Sequence, residues 1–278
     1  MTNVLILGGT GKTGRRVAHR LQSRGETVRA ASRGSDIRFD LDDPTTWKPA
    51  LDGATAAYLV DPETRPNPAT DPRERIPRLV PEAVDAGVRR LVLLSAPGVE
   101  FMDDHPLAEV EQAVRDSGVA WTILRPSWFS QNFSEAFFLP GVLSGTLSLP
   151  TGDGRTPFID AEDIADVAAS ALTDDRHDGQ IYDLTGPRAI TFGEVADLIG
   201  KATGRTVRYE DVDPRAYVER QIAGGVPPTI AEWYTRLFAT IRDGTGEAPT
   251  DDVERALGRA PRRFEDYVTE TAAAGHWN

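Results

Sequence analysis

The chain has 278 residues, 40% hydrophobic and 27% charged, enough for one large α/β unit with an appended lobe. It contains no cysteine, which excludes disulfides, thiolate metal sites and cysteine nucleophiles; His19, His105, His177 and His276 show no metal-ligand spacing, so no metal is expected. A formal charge of −12 opposes nucleic-acid binding, and no apolar run reaches the roughly 18 residues that span a bilayer.

The N-terminal MTNVLILGGTG lacks the basic region of a signal peptide, so a cytoplasmic protein is expected. Asn3–Leu7 reads as a buried strand, and 13–25 as an amphipathic helix with Val17, Ala18 and Leu21 opposite Arg15, Arg16 and Arg20. Between them lies Gly8-Gly9-Thr10-Gly11-Lys12-Thr13-Gly14. A glycine run between a strand and a helix fits a dinucleotide fingerprint: the chain turns sharply, its amides approach a pyrophosphate, and Gly14 lets the helix pack closely. Gly11-Lys12-Thr13 also imitates the end of a triphosphate-binding loop, but that loop needs glycine at position 6, where Ile6 stands.

Thr27–Ser32 is the next predicted strand. Proteins that prefer NAD(H) place a carboxylate at its end; this chain has Ser32-Arg33, and arginine there pairs with a 2′-phosphate, so NADP(H) is expected in preference to NAD(H). A solvated surface arginine is the other reading. Asp40, followed by Leu41, is placed either near the adenine or simply in a turn. Ala56–Val60, 90–95 and 121–125 are further predicted strands, and 62–81 holds six prolines and reads as a surface loop before Arg73. After Ser127 the alternation loosens; helices are predicted at 161–173, 192–203, 214–223 and 230–242, and 157–160 reads as a strand running into the first of them. The expected fold is therefore α/β: a Rossmann-type, doubly wound parallel sheet with a smaller, interleaved C-terminal α/β substrate lobe. Residues 1–126 form the NAD(P)-binding domain, segments near 157–185 return to it, and 127–278 form the substrate-binding lobe.

Several stretches together resemble the NmrA-like atypical short-chain dehydrogenase/reductases, a group that includes quinone reductases of the second type and the festuclavine-synthase branch. They are the glycine run, Leu91-Val92-Leu93-Leu94-Ser95, the run from Ser117 through Ile123-Leu124-Arg125-Pro126, Trp128-Phe129-Ser130-Gln131-Asn132-Phe133, 157–165 and Tyr182-Asp183-Leu184-Thr185-Gly186-Pro187. Gly8, Thr10, Gly11, Lys12, Thr13, Gly14, Ser32, Arg33, Asp40 and Leu41 are the residues already read as serving the cofactor. The resemblance adds Val60, Asp61 and Pro62 after one strand and Ser95, Ala96 and Pro97 after the next, with Pro126, Trp128 and Phe129 towards the nicotinamide. Pro97, Trp128, Phe129, Asn132 and Phe133 would border the substrate, with Trp233 and Tyr234 as further walls; core packing is the competing reading for each aromatic.

The departure from ordinary short-chain dehydrogenases is informative. None of the six tyrosines has a lysine four residues on, so the Tyr-x-x-x-Lys pair that protonates an alkoxide is missing. Hydride acceptors that need little acid help fit this better: quinones, enones or imines. His105 and Ser95 are the candidate proton donors, with Asp103, Asp104 and Glu109 behind them, although His105 before Pro106 also reads as a helix-start residue. The leading expectation is an NADPH-dependent reductase of a small conjugated molecule. An NADP(H)-sensing regulator without turnover and a non-redox isomerase or cyclase on the same fold are the alternatives. A homodimer is compatible with the sequence, which carries no signal for one.

Overall fold

The computed structural model describes residues 2–61, 72–99 and 105–278. In chain order the elements are β1 (Asn3–Leu7), α1 (Gly14–Ser23), β2 (Thr27–Ser32), β3 (Ile37–Arg38), α2 (Trp47–Leu51), β4 (Ala56–Val60), α3 (Pro72–Asp85), β5 (Arg90–Leu94), α4 (Ala108–Arg115) and β6 (Ala120–Pro126). There follow α5 (Leu139–Ser144), β7 (Thr146–Leu149), β8 (Arg155–Thr156), α6 (Ala161–Ala171), β9 (Gln180–Leu184), β10 (Ile190–Thr191), α7 (Phe192–Thr203), β11 (Arg208–Asp211), α8 (Pro214–Ala223), α9 (Pro228–Arg242), α10 (Asp252–Leu257) and α11 (Phe264–Ala273). The chain divides into two compact units, one of Met1–Pro126, Ala161–Leu184 and Asp252–Ala260, the other of Ser127–Asp160, Thr185–Asp251 and Pro261–Asn278.

The first unit is built on a seven-stranded sheet of order β3-β2-β1-β4-β5-β6-β9 in which every pairing is parallel. Its central strands β1, β4 and β5 are apolar on both sides, as a sheet covered by helices on both faces requires. Leu5, Leu7, Ala57, Leu59, Leu91, Leu93 and Ile123 share one core with Ile76, Leu79, Val80 and Ala83 of α3 and Val110 and Val114 of α4. Residues of opposite parity, such as Val4, Ile6, Tyr58, Val92 and Leu124, are equally buried. The doubly wound α/β fold expected from the alternation is thus observed.

Helix α3 was hidden in the sequence because Pro77 and Pro81 lie inside it. Four residues apart, they share one side of the helix, while the buried Ile76, Leu79, Val80 and Ala83 form the other, so the missing N–H groups fall away from the core. Helix α6 returns to this unit and is tied to α1 by ion pairs of Arg16 and Arg20 with Glu162, and of Arg20 with Asp166, all at 2.6 Å. Arg259 reaches Asp163 and Asp166, both at 2.7 Å. Residues 252–260 thus belong to the sheet unit, whereas the sequence reading assigned them to the lobe.

The second unit has an aromatic core centred on Phe133, with Phe138, Phe158, Phe192 and Phe264 at centroid distances of 4.8, 5.3, 5.9 and 5.7 Å. Two small ladders accompany it, β7 with β11 and β8 with β10. The strand expected at 157–160 is absent as a strand. Ile159 makes only an isolated bridge to Phe129; the Ile159 N–H donates to Trp128 O, the Ile159 carbonyl accepts from Ser130 N, and the Pro157 carbonyl accepts from Gly186 N, so the backbone groups are spent locally.

Candidate functional site

The chain passes from β1 into α1 through the glycine run. Gly8 sits at φ +62°, a left-handed conformation that side chains oppose, and its carbonyl accepts the Gly11 N–H at 2.7 Å. A Cβ on Gly14 would stand 2.3 Å from that same carbonyl oxygen, so the helix begins directly against the turn. Thr13 caps nothing with its side chain. Its hydroxyl instead accepts from Tyr58 Oη at 3.0 Å, and burial pushes the Tyr58 phenol well above its usual pKa. Thr10 and Gly11 are exposed and Lys12 is half-buried, its carbonyl accepting from Arg16 at 2.8 Å. The loop lies at the end of β1, where the strand order reverses between β2 and β4. A helix N-terminus behind a glycine turn that a Cβ would fill can hold a dinucleotide's pyrophosphate.

At the end of β2, Ser32 N donates to Ser35 Oγ at 2.7 Å, and Arg33 is exposed in the turn beyond. The Asp40 carboxylate accepts the Asp42 N–H at 3.1 Å, a turn-forming arrangement, and its carbonyl accepts from Trp47 Nε1 at 2.8 Å. Leu41 packs on the core. After β4, Val60 is partly buried, and the Asp61 side chain is 2% exposed and paired to Arg75 of α3 at 2.9 Å; Arg75 also approaches Asp42 at 3.5 Å. Burial pushes the Asp61 carboxyl up to about 6, with Arg75 pulling it down and Asp42 raising it. Arg75 thus bridges the loops after β3 and β4, a role the sequence reading missed. Pro62, Asp103 and Asp104 lie outside the described residues.

Beyond β5, Ser95 is buried and its N–H donates to Leu124 O of β6 at 2.7 Å. Its hydroxyl donates to Glu111 Oε1 at 2.6 Å. Glu111 is fully buried on α4, where Arg125 grips it with Nε to Oε1 at 2.9 Å and Nη2 to Oε2 at 2.8 Å, and Arg115 adds a bond to Oε2 at 2.7 Å. The proton expected to make Ser95 an acid is therefore committed to a carboxylate. Glu111 was missed, although its place among Leu107, Val110 and Val114 puts a carboxylate on the apolar stripe of α4. Ala96 is half-buried and Pro97 exposed; Pro126 is buried at the end of β6.

His105 stands before α4, half-buried, with Nδ1 accepting the Leu107 N–H at 3.1 Å. Burial lowers its pKa, Glu111 opposing and Arg125 assisting. The neutral ring therefore carries its hydrogen on Nε2 and offers it as a donor. His177, which is buried, precedes the edge strand β9 and is satisfied by Ser170 and the Tyr182 hydroxyl at 2.9 and 2.8 Å, a structural arrangement.

In the second unit, Phe133 is fully buried among four phenylalanine rings with its carbonyl accepting from Trp277 Nε1 at 2.9 Å, so it is a core residue and not a wall. Trp128 is half-buried and stacks on Phe138 and Phe238 at 5.7 and 5.5 Å. Phe129 and Asn132 are half-buried at a 3-10 turn, the Asn132 N–H donating to the Phe129 carbonyl at 3.0 Å. Trp233 and Tyr234 of α9 are half-buried, Tyr234 lying 4.5 Å from the Phe137 ring centroid. Among the described residues no helix is long and apolar enough to cross a membrane, and no cluster of three or more metal-ligating side chains occurs.

Comparison with known proteins matches residues 1–269 to the model of the NmrA-like family. An uncharacterized oxidoreductase of Bacillus subtilis, YesF, is 34% identical, covering 99% of this chain and 96% of its own. The NAD(P)H azoreductase of Xenophilus azovorans is 31% identical, covering 98% of each. Among solved structures, the NADPH-dependent quinone oxidoreductase QOR2 of Escherichia coli complexed with NADPH superposes with a TM-score of 0.76 at 21% identity, covering 96% of this chain and 99% of its own.

Proposed function

The chain belongs to the NmrA-like family, and from that membership we propose that it is an NADPH-dependent reductase delivering hydride to a small conjugated organic acceptor of quinone, enone or imine type. The observation that carries this reading is the glycine turn, closed by the Gly11–Gly8 bond and too tight for a Cβ at Gly14, with a cation and not a carboxylate beyond β2. The azoreductase relative is an NAD(P)H enzyme and the QOR2 structure holds NADPH, which supports the same cofactor and oxidoreductase chemistry.

When bound, NADPH supplies the hydride from its dihydronicotinamide ring. The turn and the first turn of α1 would hold the pyrophosphate, and Arg33 would pair with the 2′-phosphate. The neutral His105 donates its Nε2–H towards charge developing on the acceptor, polarising it as a hydrogen-bond donor without needing to be charged. A conjugated acceptor suits a site without a Tyr-x-x-x-Lys pair, because its developing charge is already delocalised.

The testing experiment follows NADPH absorbance with a panel of quinones, enones and cyclic imines. Oxidation with at least one acceptor is expected, and His105→Ala is expected to slow its single-turnover hydride transfer about tenfold or more. Tight binding of both cofactor forms with no oxidation of NADPH, together with a protein partner recovered by pull-down, would instead favour the sensor reading, which the committed Ser95 proton also favours.

Cofactor choice makes a second expectation. Arg33→Ala weakens NADPH binding by about one to two powers of ten, the loss of one charge-assisted bond, and leaves NADH within about threefold. Calorimetry at fixed low salt reads both; an equal change for the two cofactors would remove Arg33 from the phosphate site.

A further inference from the structure

We propose that Glu111 is a positioning residue that makes Ser95 a dedicated hydrogen-bond acceptor for the nicotinamide nucleoside of the cofactor. The inference rests on the reading that this chain binds NADP(H) with the β5 end bordering the nicotinamide.

A serine hydroxyl has one hydrogen and two lone pairs, so it ordinarily serves either as donor or as acceptor. Here the choice is removed. The Ser95 backbone is held to β6 by its bond to Leu124 O at 2.7 Å, and its hydrogen goes to Glu111 Oε1 at 2.6 Å. Glu111 in turn cannot release that hydrogen to another acceptor. Its Oε1 takes Ser95 and Arg125 Nε, and its Oε2 takes Arg125 Nη2 and Arg115 Nη2, all within 2.9 Å, which fills the four lone-pair directions of a carboxylate. The side chains of Glu111 and Arg125 are 1% and 2% exposed, so water does not compete for the bonds between those two.

What remains on Ser95 Oγ is acceptor capacity alone, at the C-terminal end of a central strand, where ligands of such sheets lie. Its partner must therefore bring an N–H or O–H. The nicotinamide nucleoside offers two such groups, the carboxamide N–H and the ribose hydroxyls. The same geometry withdraws Ser95 from proton transfer: it orients the cofactor and leaves donation to His105. Arg125, in Leu124-Arg125-Pro126, acquires a role from this arrangement too, since it fixes the carboxylate that fixes the serine.

The test uses Ser95→Ala, a small truncation that leaves the Glu111–Arg125 pair in place, with NADP+ affinity measured by calorimetry alongside steady-state kinetics. The proposal expects NADP+ binding to weaken about three- to tenfold, the KM for NADPH to rise in parallel, and the pH profile of kcat to keep its wild-type shape. With the 3-acetylpyridine analogue, whose methyl replaces the carboxamide nitrogen, Ser95→Ala should cost nothing further if the carboxamide is the partner, and its full loss if a ribose hydroxyl is; both support acceptance by Ser95. Glu111→Leu, which leaves no acceptor facing the Ser95 hydroxyl, should weaken NADP+ binding by up to the loss seen in Ser95→Ala, and the double variant should lose no more than Ser95→Ala. If Glu111→Leu does not fold, the NADP+ affinity of Ser95→Ala decides the matter. Unchanged NADP+ affinity of Ser95→Ala, whether or not kcat falls, would overturn the proposal. Failure of the wild-type chain to bind NADP+ would overturn the cofactor reading itself, a different outcome.

Discussion

Gly14→Ala is expected to weaken NADP(H) binding by at least about two powers of ten while leaving the rest of the sheet unit folded. The added methyl group would stand 2.3 Å from the Gly8 oxygen, 2.8 Å from the Gly8 carbonyl carbon and 3.2 Å from Gly9 Cα. All three are backbone atoms, so no rotamer change relieves the clash. The turn must open, and it is closed by the Gly11–Gly8 bond at 2.7 Å with Gly8 already at φ +62°. Overpacking of this kind costs about 1–3 kcal/mol. Displacing the amides that face a pyrophosphate forfeits charge-assisted bonds worth about 1.5–3 kcal/mol each, and two of them account for the loss in affinity. Calorimetry with NADPH, with circular dichroism to show retained structure, is the measurement. Affinity within threefold of wild type would show that the phosphate lies elsewhere.

The second large effect concerns stability. Arg125→Met should cost about 3–5 kcal/mol, because Glu111 stays buried with its bidentate partner gone. At about 2–4 °C per kcal/mol for a chain of comparable size, thermal unfolding should fall by roughly 6–20 °C. Replacing both partners, Arg125→Met with Glu111→Met, should restore most of that loss, since an apolar pair removes the buried carboxylate that Arg115 alone would otherwise pair. NADP+ affinity should not recover in the double variant, because the Ser95 hydroxyl is then free to rotate. Differential scanning calorimetry beside ligand titration separates the two properties; a double variant as unstable as Arg125→Met would show that the ion pair is not the cause.

What was legible in the sequence was whatever a local pattern controls. The glycine turn and the strand at Ala56–Val60 could be read because turn geometry and burial on both faces leave marks within a few residues. The two-residue β3 is too short to show a period, and the prolines of α3 argue against a helix that tertiary packing nevertheless imposes. Pairings over long separations left little trace. Arg125 meets Glu111 across 14 residues, and Asp183 N donates to Asp252 Oδ2 at 2.6 Å across 69. An arginine inside Ile123-Leu124-Arg125-Pro126 does announce that it needs a buried partner, and a glutamate on an apolar helix stripe announces the same; pairing those two signals would have found the cluster. Aromatic residues offered no such handle. Phe133 and Trp128 have the same composition signature whether they line a cavity or fill a core, and the structure separates them by burial alone.

The chain leaves the sheet unit after Pro126, comes back at Ala161, leaves after Leu184, comes back at Asp252 and leaves again after Ala260. On the ribosome, β6 is therefore made long before the strand that covers its open edge, and α1 waits nearly 150 residues for the acidic helix that neutralises its arginines. The nascent sheet unit lacks its last strand until Gln180–Leu184 has been made, with an exposed strand edge of the sort that recruits other chains. A fragment cut at the apparent boundary after Pro126 would inherit that edge permanently. Expression of the two halves as separate polypeptides thus separates strands that the finished molecule pairs.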